Sequence, residues 1–234
     1  MSTLITSIFE SERGNYDDML RVFLYSARKH MPGAAIKVVR EITMPSGRSN
    51  AYNAMTARLN SWVKAVEDTK GNIILCDVDL VFRADIFKVF DKFKFDIAYT
   101  GRKSHNKPIN GGVVFIRDGA QGFVRTWAAV NAKMFKDIEL HNKWRHKCCG
   151  MNQPAFFYLM RYKEKHGFKM LEIPCLVYNA CEAEWPKMTE SVQVIHLKRD
   201  LRLAVKGEGS IPMGAERAIA IWRKAEQESR SCEK

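Results

Sequence analysis

The sequence lacks several things at once. No stretch of the 234 residues approaches the roughly 18 consecutive apolar residues that a membrane-spanning helix needs. The first ten residues carry no basic side chain and run straight into polar sequence, which predicts no signal peptide. Cysteine is sparse, at six residues with Cys148 and Cys149 adjacent, so there is no spacing that resembles a disulfide framework. That points to a reducing, cytoplasmic compartment, with the cysteines acting as small buried hydrophobes. Glycine (14) and proline (7) are too few for a low-complexity or collagen-like polymer. Acidic residues are also in deficit, 26 against 38 basic, for a net charge of +12.

What is present is an ordinary globular composition. At 46% hydrophobic and 27% charged, the chain has enough apolar surface to offset the entropy of ordering, which excludes an intrinsically disordered protein. The length fits one domain around a single buried core, and neither a linker nor an internal repeat divides it. We therefore expect one domain over 1–234 with a C-terminal helix near 215–229.

The positive charge is concentrated. Residues 1–100 carry a net +2, whereas residues 101–150 alone carry a net +7, with Phe123, Trp127, Phe135 and Trp144 interleaved. Such a segment suits a polyanion, because lysine and arginine displace counterions and aromatic rings stack on bases. The alternative is a solvated helical face whose aromatics point inward.

Short β-branched runs alternate with amphipathic stretches. Strands are expected at Thr3–Phe9, Ile36–Val39, Asn72–Cys76, Ile97–Thr100, Val113–Ile116, Met170–Ile173 and Val192–Ile195. Helical periodicity appears at Asn15–His30, Asn50–Asp68, Gly119–Lys136, Gln153–His166 and Ala215–Ser229. Asn72–Cys76 is apolar on both faces, as a central parallel strand must be. This order predicts an α/β protein, a three-layer sandwich around a largely parallel sheet, with ligands bound beyond the carboxyl ends of the strands.

Four motifs fall at such places. Asp77-Val78-Asp79 follows the central strand, and in extended chain positions i and i+2 project to the same side. Two carboxylates there suit a divalent cation shared with phosphate oxygens; an ordinary turn is the alternative. Asn110-Gly111-Gly112 precedes a strand, where glycines admit close approach of a ligand, or simply make a turn. His196, with Lys198, Arg199 and Arg202 after it, could complete a metal shell and neutralise a pyrophosphate. Asn152-Gln153-Pro154 opens a helix, where the amides either hold sugar hydroxyls or cap the helix. The group His141, His146, Cys148 and Cys149 matches no common structural zinc spacing.

Taken in order, Asp-Val-Asp after a strand, then Asn-Gly-Gly-Val-Val-Phe, Asn-Gln-Pro, Tyr178-Asn179 and Ile-His-Leu-Lys, the chain resembles the nucleotide-sugar-dependent glycosyltransferases of the GT-A (Rossmann-like) fold over about residues 3–203. The resemblance implies a metal, Mn²⁺ or Mg²⁺, bound by Asp77, Asp79 and His196, and a UDP-sugar donor. Thr6, Ser7 and Phe9 would hold the nucleotide base, and Asp77 would touch the metal or the donor ribose. Lys198, Arg199 and Arg202 would face the diphosphate, with Gly111 and Gly112 beside the donor. Asn110, Asn152 and Gln153 would contact the reacting sugar or acceptor. Many members of that group have Asp where this chain has Asn152, and an amide is no general base.

The charge favours a polyanionic acceptor, and similarity to phage DNA-modifying glycosyltransferases implies DNA, engaged through 101–150 and modified at a hydroxymethylated base. A glycan, a lipopolysaccharide precursor or a protein is the alternative acceptor. Two other classes compete with the whole reading. One is a nucleotidyltransferase, although Ser7–Gly14 holds a single glycine where a phosphate loop is expected. The other is a non-enzymatic nucleic-acid-binding module, which has no use for paired carboxylates.

Overall fold

A computed structural model describes residues 2–8, 16–40, 49–102, 107–145, 148, 152–198 and 200–232. The chain begins with β1 (Ser2–Ser7), α1 (Asp17–His30), β2 (Ala35–Val39), α2 (Asn50–Glu67) and β3 (Asn72–Cys76). Two acidic residues, Asp17 and Asp18, open α1, and Arg28, Lys29 and His30 close it, matching the helix dipole at both ends. Ser49 caps α2 by accepting the Tyr52 N–H at 3.4 Å.

β4 (Leu80–Phe82) follows the Asp-Val-Asp segment, and a 3₁₀ turn leads into α3 (Val89–Lys92). β5 (Ile97–Arg102) and β6 (Lys107–Ile116) come next, then α4 (Gly122–Lys136), α5 (Ile138–Arg145), α6 (Gln153–Arg161) and α7 (Lys163–His166). The chain closes with β7 (Met170–Ile173), α8 (Cys175–Tyr178), β8 (Val194–His196), α9 (Asp200–Val205) and α10 (Glu216–Ser231).

The six-stranded sheet has the order β2-β1-β3-β6-β5-β7. β1 is parallel to β2 and β3, and β5 is parallel to β7, whereas β6 runs antiparallel to both of its neighbours. The reason is local: so short a connection from β5 to β6 cannot make a crossover, so the pair forms a hairpin. The sheet is mostly parallel, as the alternation of elements predicted.

Strand parity fills both faces. Ile73, Leu75, Val114 and Ile116 pack with Leu59, Trp62, Phe123, Trp127 and Phe156 beneath α2, α4 and α6. Ile74, Cys76, Val113 and Phe115 pack with Leu20, Phe23, Ala27 and Phe90 on the opposite side. A third cluster, with Trp222 and Ile219 of α10, seals the two-stranded sheet of β4 and β8.

The expected strand Val113–Ile116 is the end of a longer one. β6 starts at Lys107 and carries the Asn-Gly-Gly segment within it rather than in a turn before it. Tyr99 pairs with Val114 but Thr100 pairs with Asn110, so β6 bulges between those pairs. Among the described residues, no helix is long and apolar enough to cross a membrane.

Candidate active site

The site sits where β3 leaves the sheet. Asp77 N–H still bonds to the Gly112 carbonyl at 2.9 Å, and three residues later β4 pairs with β8 so that Leu80 lies opposite His196. This pairing delivers the imidazole to the carboxylates. His196 Nε2 is 3.2 Å from Asp79 Oδ1 and 3.4 Å from Asp77 Oδ2. Ligand atoms of all three residues lie within 4.8 Å of one another, which is the geometry of a common cation.

A relay of hydrogen bonds sets the imidazole tautomer. Thr100 Oγ1 donates to the Asn110 carbonyl at 3.4 Å and accepts from Asn179 Nδ2 at 2.8 Å. The Asn179 amide oxygen is thereby left to face His196 Nδ1, at 2.8 Å. Nδ1 then carries a proton, which leaves Nε2 as the ring atom that faces the two carboxylates. A proton on Nε2 would pair with those carboxylates; a divalent cation in its place would have a ligand set of two hard oxygens and an imidazole. The three side chains therefore fit a divalent cation.

Cationic residues surround this centre. Arg58 of α2 forms an ion pair with Asp77 and stacks on Trp62 with its guanidinium 4.7 Å from the ring centre. Arg202 of α9 approaches Asp79 at 3.7 Å. Burial alone pushes the Asp79 carboxyl up, but His196 facing it, with Arg202 and Lys198 behind, holds it at about 2. These groups line a cleft of about 300 Å³, together with Ser7, Ile8, Tyr16, Asn152, Gln153 and the Arg102–Glu182 ion pair.

A model of the nucleotide-diphospho-sugar transferase family matches residues 23–199. The chain belongs to that family.

The solved structures similar to this transferase carry the same architecture. A glycosyltransferase involved in the glycosylation of the major capsid of PBCV-1 aligns with a TM-score of 0.61 at 10% identity, covering 86% of this chain and 96% of that one. The galactosyltransferase LgtC, in complex with donor and acceptor sugar analogs, aligns with a TM-score of 0.53 at 12% identity, covering 97% and 95%. Mouse xyloside xylosyltransferase 1 aligns at 0.52 and 13% identity, covering 84% and 97%. At such identities the likeness shows the fold, which is GT-A. No curated protein sequence matches the chain. The family decides the class of activity, a glycosyltransferase using a nucleotide-sugar donor, over the nucleotidyltransferase and the non-enzymatic module.

Several expected residues converge on the transferase's cleft. Asp77, Asp79, His196, Lys198, Arg202, Ser7, Asn152 and Gln153 all line it. Thr6 does not, being completely buried within β1. Phe9 and Arg199 lie outside the described residues, as do His146, Cys149 and most of the stretch Ser7–Gly14.

Asn110 is fully buried and stands behind the cleft wall. Its Oδ1 accepts from Lys198 Nζ at 2.8 Å and from the Gly112 N–H at 3.3 Å, while Nδ2 donates to Cys181 Sγ at 3.3 Å. Those bonds make it a positioning residue for Lys198.

The two glycines differ. A Cβ on Gly111 would make ordinary contact with Gln153 at 3.6 Å, whereas one on Gly112 would land on the His196 ring. Gln153 pins the bulge, donating to the Ile109 carbonyl at 3.0 Å and accepting from the Gly111 N–H at 3.2 Å. Asn152 does not cap α6 through its side chain; it is buried, and Nδ2 has no partner among the described residues.

The basic segment is half as expected. Lys133, Lys136, Lys143 and Arg145 are exposed, with no ion pair among the described residues. The aromatics instead serve the fold. Phe123 and Trp127 are completely buried, Phe135 packs against Tyr52, and Trp144 packs edge-on to Phe157 and Tyr158. His141 is buried and stacked against the Tyr52 ring.

Proposed function

We propose that this transferase moves a sugar from a UDP-sugar to an acceptor hydroxyl, with Mn²⁺ or Mg²⁺ held by Asp77, Asp79 and His196. The observation that carries the reading is the Asn179-fixed His196, whose Nε2 faces both carboxylates at 3.2 and 3.4 Å. A divalent cation there offsets the negative charge that grows on the departing nucleoside diphosphate, more so as the bond lengthens.

The chain's own residues supply the rest. Lys198 and Arg202 line the cleft beside the carboxylates and suit the diphosphate oxygens. Ser7 and Ile8, at the carboxyl end of β1, form the wall for the nucleotide base. Asn152 Nδ2, without a partner among the described residues, is a donor for a sugar hydroxyl. As an amide cannot take a proton, Glu182 is the lining carboxylate that does not face His196 and so is available to receive the acceptor's proton. Arg102, 2.8 Å from it, fixes its position in the cleft wall.

For the acceptor we infer DNA carrying a hydroxymethylated base, flipped from the duplex to enter the cleft. The net +7 over 101–150 and the exposed Lys133, Lys136, Lys143 and Arg145 of α4 and α5 support a polyanion.

Calorimetric titration of UDP, with and without Mn²⁺, into wild type and Asp79→Ala tests the donor site. Manganese-dependent binding that the variant loses is expected. Absence of binding to UDP and to other nucleoside diphosphates overturns the donor reading. The acceptor reading is tested separately by binding to hydroxymethylated duplex at low salt; no binding there removes DNA and leaves glycan, lipopolysaccharide or protein acceptors.

A further inference from the structure

A second cluster of donors lies behind the cleft wall. Cys175 opens α8, Cys181 precedes the 3₁₀ turn Glu182–Lys187, and Glu184 lies within that turn. The two sulfurs and a carboxylate oxygen lie within 4.8 Å of one another. All three residues are buried, Cys181 completely.

The surroundings are polar and directed. Asn110 Nδ2 donates to Cys181 Sγ at 3.3 Å, while the hydrogen bond with Cys175 and burial hold the Cys181 thiol well above its ordinary value, so that a metal must displace its proton. Cys175 Sγ donates to the Asn179 carbonyl at 3.2 Å, and Cys181 Sγ lies 4.0 Å from Glu184 Oε2. Lys198, held on Asn110 at 2.8 Å, stands close enough to offset negative charge on the cluster.

We propose that Cys175, Cys181 and Glu184 form a binding site for a borderline-soft divalent cation, Zn²⁺ by donor chemistry, separate from the oxygen-rich site at Asp77, Asp79 and His196. Two thiolates and one carboxylate select zinc over magnesium or manganese, which prefer oxygen. A tetrahedral zinc with sulfur at about 2.3 Å and oxygen at about 2.0–2.2 Å needs donors about 3.5–4 Å apart, so the side chains close by an ångström or less. Loading replaces the two thiol protons, which leave to solvent, and no atom changes oxidation state. The fourth position falls to water or to the second Glu184 oxygen.

The site touches the cleft through its outer contacts. Asn110, which braces Cys181, also holds Lys198; Asn179, whose carbonyl meets Cys175, also orients His196. An ion here would fix the frame on which the transferase's cationic and imidazole groups are mounted.

The test is titration of Co²⁺, as a spectroscopic stand-in for zinc, into the reduced, metal-stripped full chain. The expected result is a thiolate-to-cobalt charge-transfer band saturating at one equivalent and discharged by Zn²⁺. Cys175→Ser and Cys181→Ser should abolish the band, while Cys232→Ser and Asp79→Asn should keep it. Asn110→Ser removes only an outer contact and should weaken cobalt binding by about 10- to 100-fold with the band intact. Glu184→Gln, which leaves both thiols in place, should also weaken it and serves if a cysteine variant does not fold.

No band in the wild type, or a band surviving both serine variants, overturns the proposal. So does a chain isolated with two thiols missing that a reductant restores, since the pair is then a disulfide. The readout involves no sugar transfer, so it succeeds or fails independently of the donor site.

Discussion

Gly112 and His196 compete for the same space: a methyl group on Gly112 would lie 2.5 Å from His196 Nδ1, closer still to Cε1, and 3.1 Å from Asp77 Oδ2. The absence of a side chain at 112 is therefore what allows the imidazole to reach the carboxylates. Gly112→Ala should cost about 1–3 kcal/mol through overpacking and abolish metal-dependent UDP binding. Gly111→Ala meets Gln153 only at 3.6 Å and should leave both nearly unchanged. Thermal denaturation and calorimetry on the pair check this; equal behaviour of the two variants would refute it.

Asn179 tests the tautomer relay. Asn179→Ala removes the acceptor that holds the His196 Nδ1 proton and should weaken Mn²⁺ by about 10- to 100-fold. Stability should fall by about 1–3 kcal/mol, because Thr100 and His196 lose partners in the core. Asn179→Asp keeps an acceptor for Nδ1 and should recover much of the metal affinity. Mn²⁺ titration followed by electron paramagnetic resonance distinguishes the three proteins.

The Asp79 carboxyl imposes a pH dependence on stability. Held at about 2 when folded, against 3.8 ordinarily, it stays ionised where the unfolded chain takes up a proton. Its contribution, on the order of 2 kcal/mol, is complete above about pH 4 and disappears as pH falls toward about 2. Urea unfolding of the metal-free protein across that interval should show the loss, and Asp79→Asn should flatten it. An unchanged slope in the variant would assign the acid sensitivity elsewhere.

Arg117 carries a structural prediction remote from the cleft. Its guanidinium donates to the carbonyls of Phe90, Phe93 and Phe95, each at 2.7 Å, tying the end of β6 to the segment around α3. Arg117→Met should lower stability by about 3 kcal/mol, and so the Tm by roughly 6–12 °C. Arg117→Lys, lacking the forked geometry, should recover less than half of that. UDP binding at low temperature should be unaffected.

Legibility in the sequence followed the strength of the local pattern. β3 and β7 have the boundaries their composition predicts, since apolar runs bounded by polar residues leave little ambiguity. The carboxylate pair was legible because two-residue alternation projects it from a strand end. β8, expected at Val192–Ile195, lies at Val194–His196, whereas β4, three residues long, is too short for any period to register; yet their pairing delivers His196. Arg58 belongs to no motif and sits beside the apolar stripe of α2, so only the folded chain reveals its place next to Asp77. The Gly111-Gly112 pair has the composition of a turn, but Gln153, distant in sequence, satisfies its backbone and keeps it in β6. Trp127 resembles a stacking platform in sequence; its N–H bonds the Asn152 carbonyl at 3.0 Å inside the core.

The pairing of Leu80 with His196 also orders events during synthesis. Five of the six strands of the main sheet are complete once Ile116 has emerged, and the carboxylates are already in place at the end of β3. The imidazole arrives only with β8, across a loop closure whose entropy must be met before the contact forms. Until then the growing chain can bury much of its core while its two aspartates stand without their nitrogen ligand. A chain stopped before β8 thus lacks the imidazole of the proposed cation site and has little means of holding a nucleotide through it.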